Sequence, residues 1–224
     1  MAHTMTEQAT HGWLVPHATP ADVERIEEAV ARVELQTCAE IVPMIVRSSS
    51  SHGHVPYMLF LISLFVLWTL VPYATPFVPS FSVALLDLAV LLVAFIVASW
   101  GMRSDYVRRT LTPKNDQAAH VMRRAQLEFY QSNIKQTEQN TGVLIFVSLL
   151  ERRAVVLADQ AVSEKLPPET WQSAIDALIT RVKDDDFTGG MCAAIEQVGA
   201  VLSQSFPSTG CARNELPNHL IIKE

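Results

Sequence analysis

Between Arg47 and Arg103 the chain carries no lysine or arginine, and Asp87 is the only acidic residue of that interval. This loss of charge constrains the fold more than any other feature. The interval holds two apolar runs, Tyr57–Ala74 (YMLFLISLFVLWTLVPYA) and Phe81–Trp100 (FSVALLDLAVLLVAFIVASW). About 20 apolar residues cross a bilayer core as a helix, a length the second run meets and the first meets if it extends to Val78. Thr75 to Ser80, with two prolines, is all that separates them. So short a connection joins antiparallel neighbours, and the expectation is a transmembrane hairpin with spans at about 57–78 and 81–100 inside an insertion of residues 55–102.

Arg47 precedes the hairpin, and Arg103, Arg108, Arg109, Lys114, Arg123 and Arg124 follow it. Cytoplasmic flanks are rich in Lys and Arg, so both termini and the globular part are expected in the cytoplasm, on a multi-pass protein of the inner (plasma) membrane. Met1 to Thr19 lacks the basic start and apolar stretch of a signal peptide, which leaves the first span as its own insertion signal. An Asp at mid-span costs about 2.5–3.5 kcal/mol, while each Leu, Ile, Phe or Val returns about 0.3–0.6 kcal/mol, so the second span still inserts. Asp87 is then a membrane polar site, read as an off-centre packing or partner contact, protonated or hydrogen-bonded to Ser63 or Thr69, with a proton or ion relay as the sharper alternative.

The rest of the chain reads as one α/β domain split by the hairpin. A net charge of −6 on 224 residues, without basic clusters, argues against nucleic acid. Cys38, Cys192 and Cys211 are odd in number and far apart, which suggests reduced thiols in a cytosolic compartment. Residues 1–18 are polar and patternless, a flexible tail. Thr19-Pro20 opens a helix: Thr caps it, Pro is tolerated at its first position, and Asp22 favours its positive end. Val23, Ile26, Val30 and Val33 recur at helical spacing. Glu40–Val46 reads as a strand that Pro43 would place at an edge or bulge, and residues 19–50 form the first part of the domain.

Its second part is residues 113–207. Pro113 to about Gln136 is a helix, with Ala118, Val121, Met122, Ala125 and Phe129 on one face. Gly142–Ser148 is a strand whose unbroken apolar character implies burial on both faces. Ala154–Ala158 is a second strand, after a charged turn. Trp171, Ala174, Ile175, Leu178, Ile179 and Val182 stripe one helix. Met191, Ile195, Val198 and Leu202 stripe another that ends before Pro207, and residues 208–224 form a C-terminal tail. Helices on a small sheet make an α/β layer structure.

Four segments carry a resemblance: Ala39-Glu40-Ile41, Thr141 to Arg153 (TGVLIFVSLLERR), Ala158-Asp159, and Asn214-Glu215-Leu216-Pro217. They resemble the TPM-domain family, and most of all its bacterial membrane subgroup, in which two spans interrupt the domain. The resemblance implies an α/β/α sandwich. Some members are described as acid phosphatases, some bind calcium near the ends of the sheet strands, and most have no known function. The family often has Gly where this chain has Ala39 and Ala161. Gly permits a tight turn or a close approach to a ligand, so weaker binding is expected here.

Asp159 follows a buried strand, where α/β folds place their sites. It is a candidate ligand for a hard cation, or a plain cap of the next turn. Glu40 could join it, because two carboxylates and a carbonyl suit Ca²⁺ or Mg²⁺. Arg152 could hold a phosphate, although Glu151-Arg152-Arg153 also reads as a solvated hairpin tip. Asp184-Asp185-Asp186 lacks the EF-hand spacing and reads as a solvated loop. His52 and His54 are two ligands at most. Asn214 to Pro217 either folds over the strand ends or docks another subunit. No Walker loop, HExxH helix, G-x-S-x-G elbow or paired CxxC is present. Two functions remain open: a binding or accessory module for a membrane partner or a second copy through the hairpin, and a divalent-cation-dependent phosphomonoesterase that uses Asp159, Glu40 and Arg152.

Overall fold

The computed structural model describes residues 13, 18–49, 55–74, 83–101, 103–104, 107, 110, 113–134, 137, 139–208 and 215–224. The expectations for most of the N-terminal tail, for His52 and His54, for the loop bearing Pro76 and Pro79, and for Cys211 and Asn214 lie outside them. The chain divides into two units, Met1–Ser49 with Ala118–Glu224, and Ser50–Gln117.

The first unit is built on a four-stranded sheet in the order β3-β2-β1-β4, with β1 at Glu40–Val46, β2 at Gly142–Ser148, β3 at Arg153–Ala158 and β4 at Ile221–Lys223. β1 runs parallel to β2 and to β4, and β3 runs antiparallel to β2. Strand alternation divides the core between the two faces. Ile41, Ile45, Val143, Ile145 and Val147 face one cluster and Val42, Met44, Val46, Leu144 and Phe146 the other. The first cluster includes residues of α1 (Pro20–Glu34), α6 (Gln172–Lys183) and α7 (Phe187–Ser205). The second includes Val121, Ala125 and Phe129 of α4 (Lys114–Gln131). Helices therefore cover both faces of the sheet.

Local chemistry explains several of these elements. Thr19 and Asp22 form a reciprocal capping box on α1, with Pro20 at its first position. All seven residues of β2 are buried, because β1 and β3 flank it and core lies on both faces. Pro43 is accommodated by the shortness of β4. Over Met44–Val46, β1 is an interior strand, but β4 does not reach Pro43. The Ile41 N–H points to the same side and donates to Glu34 Oε1 (3.0 Å) rather than to a strand. The missing proline N–H thus falls where there is no ladder to complete.

β4 is held from the other face. Glu128, buried on α4, takes charged hydrogen bonds from Lys223 Nζ and from Arg124 Nε (2.8 Å), and Arg124 also donates to the Glu224 carbonyl (3.2 Å). Gly142 marks a close approach: a Cβ there would lie 2.3 Å from the Ile134 carbonyl oxygen. Gly142→Ala is accordingly expected to lower stability by about 1–3 kcal/mol through overpacking against backbone, read as a shift in denaturation midpoint.

Cys38 is disulfide-bonded and Cys192 is free. The expectation of three reduced thiols fails because wide spacing in sequence says nothing of proximity in the fold. Disulfides are rare where glutathione keeps thiols reduced, so the bond also removes an argument for a cytosolic domain.

The second unit contains α2 (Val55–Ala74) and α3 (Val83–Gly101), which pack on each other. On α3, Val90, Ala94 and Ala98 are buried at four-residue spacing, and Ser63 Oγ donates to the Ala94 carbonyl (3.3 Å). Among the described residues no helix is long and apolar enough to cross a membrane. The transmembrane hairpin, and with it the multi-pass inner-membrane placement, does not stand. The outward surface is still apolar, with Phe65 at 72% and Trp100 at 76% exposure.

Asp87 is half-buried on α3. It does not receive the expected hydroxyls: Ser63 donates to the Phe60 and Ala94 carbonyls, and Thr69 to the Val66 carbonyl (2.6 Å). In a helix, a backbone carbonyl three or four residues back is the nearest acceptor for Ser and Thr.

Candidate functional site

Register places the sequence-derived residues at opposite ends of the sheet. Glu40 is paired with Gly142 at one end, and β2–β3 pairing brings Asp159 to the same end, where its N–H donates to the Gly142 carbonyl (2.8 Å). Glu40 and Asp159 are therefore separated by a whole strand, which puts their backbones about 10 Å apart. Arg152 lies at the far end, in the turn whose next residue pairs with Ser148. A seven-residue strand is about 20 Å long. The fold gathers the two carboxylates at one end and leaves the arginine at the other.

Asp159 is buried and caps α5 (Gln160–Lys165), a short helix that the apolar pattern did not reveal. Its Oδ1 accepts the Gln160 N–H (2.7 Å), while its Oδ2 is buried with no hydrogen-bond partner among the described residues. Both the capping and the ligand reading of this residue thus have a footing. Glu40 is also buried, but both its oxygens are engaged. Oε1 accepts the Glu215 N–H (3.0 Å) and Oε2 the Leu216 N–H (3.2 Å). Burial raises the Glu40 pKa, those two hydrogen bonds oppose the rise, and the Glu215 charge adds to it. The segment Glu215-Leu216-Pro217 folds back over the strand ends, as the sequence allowed.

Sequence reasoning missed Glu34 at this end. Its Oε1 takes the Ile41 N–H, and its Oε2 is buried without a partner among the described residues. Burial raises its pKa to about 7, the neighbouring Glu40 adds to the rise, and hydrogen bonds from Ile41 and Asn218 hold it down. Nothing in the helical pattern marked it, because the last turn of an amphipathic helix is an ordinary place for a glutamate. Ala39 and Ala161 need no glycine: the described non-glycine residues with positive φ are Asn133, Asn140, Arg152 and Asp185. Among the described residues no group of three or more His, Cys, Asp or Glu is placed to hold a metal ion. Each oxygen of Glu40 accepts one backbone N–H from the segment that crosses the strand ends.

The far end holds a second polar cluster. Glu151, expected to be solvated, is buried. Its carboxylate accepts the hydroxyls of Ser48 (3.1 Å) and Ser148, and the N–H of Ser49 (3.2 Å). Ser49 Oγ donates in turn to Ser148 Oγ (2.9 Å). Arg152, with φ of 49°, closes the turn by donating its N–H to the Leu149 carbonyl (3.1 Å). Asp184, Asp185 and Asp186 are exposed as expected, and Asp186 caps α7 through the Gly189 N–H (3.0 Å).

Comparison with curated proteins finds no match. Among solved structures, the fold is similar to the NMR structure of BA42 protein from the psychrophilic bacterium Bizionia argentinensis. The TM-score is 0.56 at 17% identity, over 91% of this chain and 94% of that one. Residues 103–201 match the family model described as TPM domain, so the part of the chain that carries α4 to α7, with β2 and β3, contains the TPM match.

Proposed function

We propose that the chain is a binding or accessory module rather than a phosphomonoesterase. One observation carries the reading: Arg152 lies at the opposite end of the sheet from Glu40 and Asp159. Ester hydrolysis needs a cation and a phosphate-holding group within reach of one phosphate, and a separation of about 20 Å denies that. Both Glu40 oxygens are already engaged by N–H groups of its own chain, which supports the same conclusion. The apolar outer surface of α2 and α3, which includes Leu61, Phe65, Leu88 and Phe95, is the surface offered to a partner. Contiguous exposed apolar area of this kind marks interaction sites. The partner's chemistry is an apolar helical surface, from another protein or a second copy of the hairpin.

Two assays test this. Hydrolysis of a chromogenic phosphate ester with Ca²⁺ or Mg²⁺ is expected to equal the no-protein control. Turnover that disappears in Asp159→Ala would reject the module reading. A photo-crosslinking residue at Phe65 or Leu88 of the full chain, in its host cell, is expected to give a discrete adduct that the same probe at the exposed Gln172 does not. Equal labelling from all three positions would count against the hairpin as the docking element.

A further inference from the structure

Residues 215–220 cross one end of the sheet on a set of carboxylates. Glu40 accepts the Glu215 and Leu216 N–H groups, and Glu27 accepts the Leu220 N–H (3.3 Å). Glu34 lies between β1 and this segment, bonded to the Ile41 N–H and in contact with Asn218. Glu34 and Glu40 act on each other across the α1–β1 junction, and Glu215 of the segment acts on Glu40; the segment also carries His219. The ionic clamp of Glu128 on Lys223 holds only the last strand. Repulsion between Glu34 and Glu40 falls on the α1–β1 junction that the segment covers, and repulsion between Glu40 and Glu215 on the segment itself.

We propose that residues 215–220 are a proton-controlled strap, closed on the edge of β1 while Glu34 is protonated and released as Glu34 ionises beside Glu40. Three geometric facts carry it. The strap is fastened through backbone N–H groups to carboxylates. Glu34 Oε2 is buried without a close hydrogen bond among the described residues, and Asn218 of the strap is the side chain that interacts with this carboxylate. The β1 edge beneath has no ladder over Glu40–Pro43, because β4 pairs only from Met44 onward.

The direction follows from linkage. Burial holds the Glu34 pKa at about 7 in the closed form, against 4.5 for the solvated group that opening would restore. The closed form binds the proton more tightly, so closure is favoured in acid and loses ground as pH rises from 4.5 to 7. Tenfold per pH unit over that interval gives at most about 300-fold. The strap should therefore loosen near neutrality while the sheet stays folded.

Hydrogen exchange on the full chain, corrected for intrinsic rates, tests this. Protection of the Ile41, Leu216 and Leu220 amides is expected to fall by up to about 70-fold between pH 5 and pH 8, with Leu144 in β2 unchanged. Glu34→Gln should flatten the fall. His219→Gln should leave it as in the wild type. A pH-independent wild type overturns the proposal, as does a Glu34→Gln profile that still falls. So does a fall that only His219→Gln removes. If Glu34→Gln also loses protection at Leu144, Glu40→Gln is read in its place: a reduced fall supports the strap and a wild-type fall rejects it.

Discussion

Glu151→Ala is expected to lower the unfolding free energy by about 3 kcal/mol, one of the two largest single-residue effects argued for this chain. The carboxylate receives two hydroxyls and a backbone N–H, from Ser148 at the end of β2 and from Ser48 and Ser49 after β1. A hydrogen bond to a charged group contributes about 1.5–3 kcal/mol, and a buried donor left without an acceptor costs about 1–3 kcal/mol. These contributions overlap. Ser48 and Ser49 are half-exposed and regain water, whereas Ser148 is fully buried and does not. The loss therefore rests chiefly on Ser148. A chemical denaturation curve of the full chain, in a nonionic detergent that covers the apolar hairpin, would measure it. Glu151→Gln keeps the shape and one acceptor, so a smaller loss of about 1–2 kcal/mol is expected. A Glu151→Ala variant within about 0.5 kcal/mol of wild type would mean that water replaces the carboxylate.

That cluster also shows what could be read from sequence and what could not. The strands Glu40–Val46 and Gly142–Ser148 follow from local composition, because β-branched and aromatic runs bounded by polar residues have few other solutions. α1 follows from its capping residues and its apolar spacing. α5 and β4 did not: each is short, and each is held by contacts distant in sequence, Asp159 with Gly142 and Lys223 with Glu128. The same limit governs the sites. Glu40 and Asp159 stood out because they border recognisable strands, and the parallel β1–β2 and antiparallel β2–β3 pairings together bring them to one end. Arg152 was grouped with them although the short turn it occupies reads as a hairpin tip, and the antiparallel β2–β3 pairing sends it to the opposite end from Asp159. Glu151 was misjudged for a related reason. A charged tripeptide at a turn is ordinarily solvated, and only the serines leaving β1 bury it. The hairpin shows a different failure. Composition established apolar helices, but their packing on each other and the carbonyls that take the Ser63 and Thr69 hydroxyls are properties of the folded chain.

The other large effect belongs to Glu128. Glu128→Ala is expected to destabilise by about 3 kcal/mol, the low end of the range for breaking a buried ion pair. Glu128 itself is 2% exposed, while Lys223 and Arg124 keep about a third of their surface in water. The stranded cations can thus turn outward, which limits the penalty. For a domain of this size the loss corresponds to a fall in melting temperature of roughly 6–12 °C. The pair should be coupled as well as costly. Lys223→Ala alone releases β4 from α4, and once Lys223 is gone Glu128→Ala has less left to lose. A double-mutant cycle is expected to give a coupling energy above about 1 kcal/mol. Replacing both residues by Met removes the charges together with their desolvation cost and should recover most of the stability, because an apolar pair of similar volume often matches a buried ion pair. A coupling energy near zero would show that Glu128 acts through Arg124 alone. In that case β4 is held by its pairing with Met44–Val46, and the C-terminal strand owes nothing to the clamp.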